Sequence, residues 1–252
     1  MEKKKLLAII TGAAQGIGKS IAIEFIINNY NVAVADINEH VEDKWWEKEE
    51  YKFYVIFIKT DVSNEESVRN MVSKSREAFG DDINVLVNNA AISNPYQYGK
   101  SLEELSYEEW NRYISVNLSS VFLCSKHVIP YMKEGRNGSI INIASTRALM
   151  SEPRCEAYAA AKGGVVSMTH SLAVSYGKYG IRANCVVPGW INSSDYEPSI
   201  SDHEQHVVGR VGKVEDVSEI VLFLADSKKS GFVTGQSFVI DGGMTVKMIY
   251  RD

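Results

Sequence analysis

The sequence predicts an α/β fold, a doubly wound and mostly parallel sheet of about seven strands with helices on both faces. Three observations predict it. Short apolar runs alternate with longer segments of helical period along the whole chain. The short runs are continuously apolar, the pattern of strands covered on both faces. Strand–helix alternation of this kind requires helical crossovers between parallel strands.

In order, strands are expected at 6–10, 32–35, 53–58, 83–87, 139–143, 183–187 and 238–240, each β-rich and bounded by turn or polar residues. Helices are expected between them at 17–28, 65–79, 107–132, 156–178 and 215–225. Two helices carry a start signal, Ser63 with Glu66 and Ser106 with Glu109, each at the S-x-x-E spacing of a capping box. Segment 39–51 gathers many charges around Trp45-Trp46 and reads as an exposed helix with one face on the sheet. No Pro/Ser/Gly-rich linker, repeat or low-complexity tract divides the 252 residues, so residues 1–252 are expected to be a single domain.

Composition narrows the function. Hydrophobic residues make up 45% and charged residues 23%, which excludes a disordered or fibrous chain. Lys and Arg number 27 against 32 Asp and Glu, a net charge of −5, so a general nucleic-acid binder is not expected. Cys124, Cys155 and Cys185 are odd in number and unpaired in spacing, which argues against a disulfide framework and a zinc site and for a reducing compartment. No apolar run approaches the length of a membrane span. The basic Lys3-Lys4-Lys5 and apolar residues 6–10 imitate a signal peptide, but the run stops at Thr11-Gly12; it reads as a lead-in to a buried strand in a cytoplasmic protein.

The first strand runs into Thr11-Gly12-Ala13-Ala14-Gln15-Gly16-Ile17-Gly18. Gly12 permits a tight turn, Gly16 a close approach to a pyrophosphate and Gly18 close packing of the helix. The free N–H groups and positive dipole of that helix start then face the phosphates. The strand before and helix after the loop lift this above a bare glycine pattern. The second strand ends in Asp36, eighteen residues after Gly18, where a carboxylate accepts hydrogen bonds from both ribose hydroxyls of NAD and repels the 2′-phosphate of NADP. Ile37 follows it and Gln15 sits in the loop where basic residues would favour NADP, so NAD is the expected cofactor.

A second group comprises Ser145, Tyr158 and Lys162. Ser145 lies just past a strand's carboxyl end, where open α/β sheets bind ligands. Tyr158 and Lys162 are four apart, on one helix face. A free tyrosine titrates near ~10 and is a poor base at neutral pH. A neighbouring ammonium and a positive nicotinamide ring stabilise the phenolate. Tyr158 then takes the proton of an alcohol as hydride leaves its carbon, while Ser145 holds the oxygen.

Together the two groups make the chain resemble, over essentially its whole length, the compact single-domain short-chain dehydrogenases/reductases, whose fold is the Rossmann fold. Thr11 to Gly18 match the family's T-G-x-x-x-G-x-G; Tyr158 and Lys162 match its Y-x-x-x-K, with Ser145 thirteen residues ahead. The resemblance implies that Asn117 is a fourth catalytic residue, supporting a water in the relay behind Lys162. It implies adenine contacts from Asp61-Val62, a cofactor loop at Asn88-Asn89-Ala90-Ala91, and nicotinamide contacts from Pro188-Gly189 with Ile191 and Ser193. Lys162 is implied to hold the ribose. Two positions depart from the family pattern: Ala91 stands for its usual glycine, and Ser193 for its threonine, keeping the hydroxyl.

Substrate is expected near Ser93, Asn94, Arg147 and Trp190, under a lid at about 194–207. That lid is polar and acidic, which favours a neutral polyol, sugar or small hydroxy compound over a phosphorylated or carrier-bound one; Arg147 or Arg210 is the cation that would reverse this. Asp202, His203, Glu204 and His206 read as a solvated lid and no metal is expected. Cys124 and Cys185 read as core, and Cys155 takes no role. The family resemblance implies a homo-oligomer, a tetramer or dimer, through helices 107–132 and 156–178, the second carrying the small residues Ala159, Ala160, Ala161, Gly163 and Gly164; the tail at 244–250 is apolar enough for another interface. The rival readings are a 3-oxoacyl-thioester reductase using NADPH, opposed by Asp36 and the acidic lid, and a non-catalytic NADH sensor, opposed by the four catalytic matches.

Overall fold

The computed structural model describes residues 5–80, 82–92 and 100–248. The chain runs β1 Leu6–Thr11, α1 Gly16–Ile27, β2 Tyr30–Asp36, β3 Val55–Lys59, α2 Glu65–Phe79, β4 Val85–Asn88, α3 Tyr107–Ile114, α4 Ser120–Gly135, β5 Gly138–Ile143 and α5 Glu156–Tyr176. It continues through β6 Ile181–Pro188, β7 Ile191–Asn192, α6 Ile200–Glu204, β8 Gly212–Lys213, α7 Val214–Ala225, α8 Ser227–Ser230 and β9 Ser237–Ile240. Among the described residues, seven strands form one parallel sheet in the order β3–β2–β1–β4–β5–β6–β9. The order reverses between β1 and β4, and the cleft at such a reversal is where open α/β sheets bind ligands.

Both faces of the sheet are buried, which is why its strands read as unbroken apolar runs. In β1, Ala8 and Ile10 face α1, α7 and the two tryptophans, while Leu7 and Ile9 face α2, α4 and α5. Each Leu or Ile side chain so buried contributes about 1.5–3 kcal/mol. All seven expected strands are present.

The structure differs from the sequence reading in four places. Segment 39–51 is not a helix on the surface. It is a series of turns with one short 3₁₀ turn at Trp45–Glu47, and Trp45 and Trp46 are both core residues. Trp45 Nε1 donates to the Ala13 carbonyl at 3.2 Å, and Trp46 stacks on Phe57 at 4.5 Å. The hydrophobic area of two indoles outweighs the surrounding charges, which stay at the rim. Second, α2 is capped by Asn64, whose side chain accepts the Ser67 N–H at 2.9 Å. Ser63 instead donates to Asp61 at 2.6 Å. The Ser106–Glu109 capping box does form, with bonds of 2.9 and 3.1 Å.

Third, the helix expected over 107–132 is not uniform. Between α3 and α4 the chain widens into a π turn at Ser115–Ser119, a distortion that proteins place often at functional sites. Fourth, β7 and β8 form a small parallel pair that positions the chain leaving Gly189. Among the described residues no helix is long and apolar enough to cross a membrane.

Candidate active site

A cleft of about 840 Å³ runs along the carboxyl ends of the strands. Its lining includes Gly12, Gln15, Gly16, Ile17, Gly18, Asp36, Asp61, Val62, Asn89, Ala90, Pro188, Gly189, Ile191 and Ser193, all expected from the sequence, together with Ser145, Tyr158 and Lys162. Of the four expected catalytic residues Asn117 does not line it, and neither do Asn88 of the expected cofactor loop or Arg147 of the expected substrate site.

At one end is the glycine loop. Gly16 has φ +59°, a conformation that side chains oppose, and a Cβ on Gly18 would stand 2.2 Å from the Gly12 carbonyl oxygen. Helix α1 therefore begins pressed against its own loop, with Gly16, Ile17 and Gly18 of its first turn lining the cleft. Asn89 holds the loop to β4: its Nδ2 donates to the carbonyls of Thr11 and Gly12 at 3.0 and 2.9 Å. The Thr11 hydroxyl accepts from the N–H groups of Asn89 and Ala90, both at 3.0 Å. Ala91 lies outside the left-handed region, so its methyl costs no backbone strain.

Asp36 closes β2. Its carboxylate accepts from Ala14 N–H at 3.0 Å and from Asn38 N–H at 2.9 Å, each oxygen keeping lone pairs for a ligand. Asp61 accepts from the Ser63 N–H and hydroxyl at 2.9 and 2.6 Å. Among the described residues neither carboxylate has an ion-pair partner, so both bring uncompensated negative charge to the cleft.

At the other end, helix α5 brings Tyr158 and Lys162 against the end of β5. Lys162 is 3% exposed and its ammonium donates to the Ile143 carbonyl at 2.8 Å. Burial pulls that ammonium down to about 8. Burial is also the largest influence on Tyr158 and pushes its hydroxyl up, while the Ser145 hydroxyl and the Arg147 guanidinium pull it down. The sequence expectation of a tyrosine lowered by its lysine is thus not what these side chains produce by themselves. Lys162 Nζ turns to the Ile143 carbonyl and stands 5.7 Å from the centre of the Tyr158 ring.

Asn117 sits in the π turn, 1% exposed. Its side chain makes a two-way bond with the backbone of Ile92, accepting its N–H at 2.9 Å and donating to its carbonyl at 3.2 Å. It fastens helix to loop just behind the cleft wall.

Of the substrate candidates, Trp190 lines the cleft, and Ser93 and Asn94 lie outside the described residues. Arg147 pairs with Glu152 at 2.8 Å and Arg210 with Asp216 at 2.6 Å, so both cations are neutralised. Segment 194–207 packs over Trp190 rather than lining the cleft. Tyr196 stacks on the indole at 6.3 Å, and His206 approaches it at 6.3 Å. His203 accepts the Val211 N–H at 3.1 Å. Cys124, Cys155 and Cys185 are buried thiols.

Sequence reasoning missed Trp45, which supports the glycine loop at Ala13. It also missed Arg112, Ser115 and Val116, which line the cleft from the helix carrying Asn117. The signal for the last three was available: they lie within five residues before Asn117.

Comparisons with known proteins agree with this fold. A family model described as enoyl-(acyl carrier protein) reductase matches residues 12–245. An oxidoreductase of Thermotoga maritima is 46% identical over 98% of both chains. The (2S)-[(R)-hydroxy(phenyl)methyl]succinyl-CoA dehydrogenase subunit of Thauera aromatica is 37% identical over 95% of this chain and 96% of its own. Among solved structures, the apo SCOR enzyme of Clostridium thermocellum superposes with a TM-score of 0.87 at 36% identity, covering 98% and 96% of the two chains. ElxO with NADP bound gives 0.87 at 30%, covering 96% and 100%. The chain belongs to the short-chain dehydrogenase/reductase family. It is an oxidoreductase of that family, which uses a nicotinamide cofactor.

Proposed function

We propose that the protein is an NAD-dependent oxidoreductase that interconverts a secondary alcohol and a ketone, its substrate a neutral polyol, sugar or small hydroxy compound. The observation that carries this is one continuous cleft with the glycine loop and Asp36 at one end and Ser145, Tyr158 and Lys162 at the other. The residues fit a dinucleotide: a Cβ on Gly16 would come within 3.5 Å of Ser193 across the cleft, so the loop's bare backbone is what leaves the diphosphate room. Asp36 favours NAD, because its carboxylate opposes a 2′-phosphate; ElxO, which binds NADP, is a reason to test this directly.

When bound, the nicotinamide accepts or supplies the hydride. Tyr158 moves the proton at the substrate oxygen, and burial keeps its hydroxyl protonated at neutral pH, the form that serves carbonyl reduction. Ser145 orients that oxygen. Lys162, fixed by the Ile143 carbonyl, holds a positive charge behind the site and binds the ribose. Asn117 holds the wall through Ile92 and supports the relay behind Lys162. With Arg147 engaged by Glu152, the substrate end suits an uncharged hydroxy compound. The helix pair α4 and α5 is the surface through which we expect a dimer or tetramer to form in the cytoplasm, residues 1–252 acting as one catalytic domain.

The test is cofactor-coupled absorbance with NAD and NADP against sugars, polyols, hydroxy acids, steroids and acyl thioester analogues. Tyr158→Phe is expected to bind NADH as the parent does and to lose turnover by a factor of at least about 100. Near-normal turnover in that variant would sink the mechanism. Activity on acyl thioesters with NADPH alone would move the protein to the 3-oxoacyl-thioester reductases, and NADH binding without turnover on any substrate would favour a sensor.

A further inference from the structure

Arg112 is a cation whose charge no contact within the described fold uses. It stands in the last turn of α3, exposed, and lines the cleft beside Ser115 and Val116. Among the described residues its guanidinium has no hydrogen bond and no ion pair. Glu108, one turn before it and well placed for a helical ion pair, does not take it. Glu109 is occupied by Lys100 at 2.6 Å and by the Ser106 N–H at 2.9 Å. Nor does Arg112 cap a helix end, because the chain runs on through the π turn into α4 and offers no terminal carbonyls there.

The cleft needs such a charge. Its other ionised side chains among the described residues are Asp36, Asp61 and Lys162. Lys162 is buried and committed to the Ile143 carbonyl. Without Arg112, a ligand carrying a diphosphate would enter past two carboxylates, with only the N-terminus of α1 to favour it. A guanidinium supplies both the compensating charge and a planar donor set that hydrogen-bonds phosphate or stacks on a flat base.

We propose that Arg112 is a cofactor-binding residue that holds the adenosine diphosphate half common to NAD and NADP. This rests on the dinucleotide reading above. It makes the cofactor, not the substrate, the ligand that neutralises this cation, and it offsets the repulsion that Asp36 and Asp61 impose.

The experiment measures dissociation constants of ADP, NADH and NADPH for the full chain, for Arg112→Ala and Arg112→Lys, and for Lys178→Ala as a control of equal charge change on a distant surface. Melting curves establish that each variant is folded. Arg112→Ala is expected to weaken all three ligands by one common factor of about tenfold, the effect of losing one charge-assisted contact. Arg112→Lys keeps the charge but not the planar fork and is expected to fall between. Lys178→Ala is expected to bind as the parent does. The difference between parent and Arg112→Ala should narrow as salt is raised. Unchanged ADP affinity in Arg112→Ala overturns the proposal, as does an equal loss in Lys178→Ala or a loss confined to NADPH. These outcomes leave the reaction reading standing, because that reading fails on the turnover of Tyr158→Phe and this one on ADP binding.

Discussion

At the scale of the residue, Asp36 is held at the end of β2 by two backbone N–H groups. Its oxygens accept the N–H groups of Ala14 and Asn38, so the carboxylate is tied to the glycine loop and also lines the cleft, where the proposed function has it select the cofactor. Asp36→Ala is expected to lower kcat/KM with NAD at least about tenfold, because a charged hydrogen-bond partner of both hydroxyls is lost. The preference ratio should move toward NADP as the repulsion disappears. Measuring kcat/KM with both cofactors checks it, and an unchanged ratio would count against Asp36 as the selector. Tyr158 illustrates the opposite case, a residue whose behaviour its neighbours in sequence do not settle. Its hydroxyl is raised by burial, which no spacing argument detects.

At the scale of the element, the helical stretch from α3 to α4 carries a widened turn at Asn117. A regular helix would offer Asn117 to its own preceding carbonyls; here the side chain reaches across to Ile92 and satisfies both its N–H and its carbonyl. Asn117→Ala leaves those two groups without their partner, at about 1–3 kcal/mol each if they stay dry. The expected result is a lower melting temperature and a lower kcat together. A fall in melting temperature with kcat intact would assign Asn117 a purely structural part. The segment before β3 makes the same point about elements. Its charge pattern suggests an exposed helix, yet two indoles pull it into the core, and Trp45 then braces the loop that α1 begins from.

At the scale of the whole molecule, surface ion pairs link elements that the sheet alone would leave loose. Glu65 at the start of α2 meets Lys126 and His127 of α4 at 2.7 and 2.9 Å, which hold its carboxyl at about 2 against an ordinary 4.5. Lys100 and Ser106 hold Glu109 at about 2, and Arg210 holds Asp216 at about 2 against 3.8. All three carboxyls are depressed in the folded state. Their contribution is therefore complete above the unfolded values and is lost as pH falls from about 4.5 towards 2. Melting temperature should be nearly flat above that window and drop within it. Glu65→Gln should make the drop shallower, and an unaltered acid limb would show that this cluster does not couple α2 to α4.

Much of this protein was legible in its sequence because the signals are local. Parallel strands buried on both faces must be apolar throughout, so seven runs announce seven strands. A tight turn into a helix needs glycine at fixed intervals, and a helix places Tyr158 and Lys162 on one face by its pitch. The family pattern added Asn117 and the later loops. What only the tertiary structure decided depends on partners distant in sequence. Trp45 is core because Ala13, thirty-two residues earlier, receives its N–H. Arg147 and Arg210 are neutral to a ligand because Glu152 and Asp216 fold onto them. Arg112 belongs to the cleft because the loop after β4 and the end of β3 converge on its helix. Backbone geometry and strand burial are written in neighbouring residues; solvation, ion pairing and the charge left for a ligand are settled only when the elements meet.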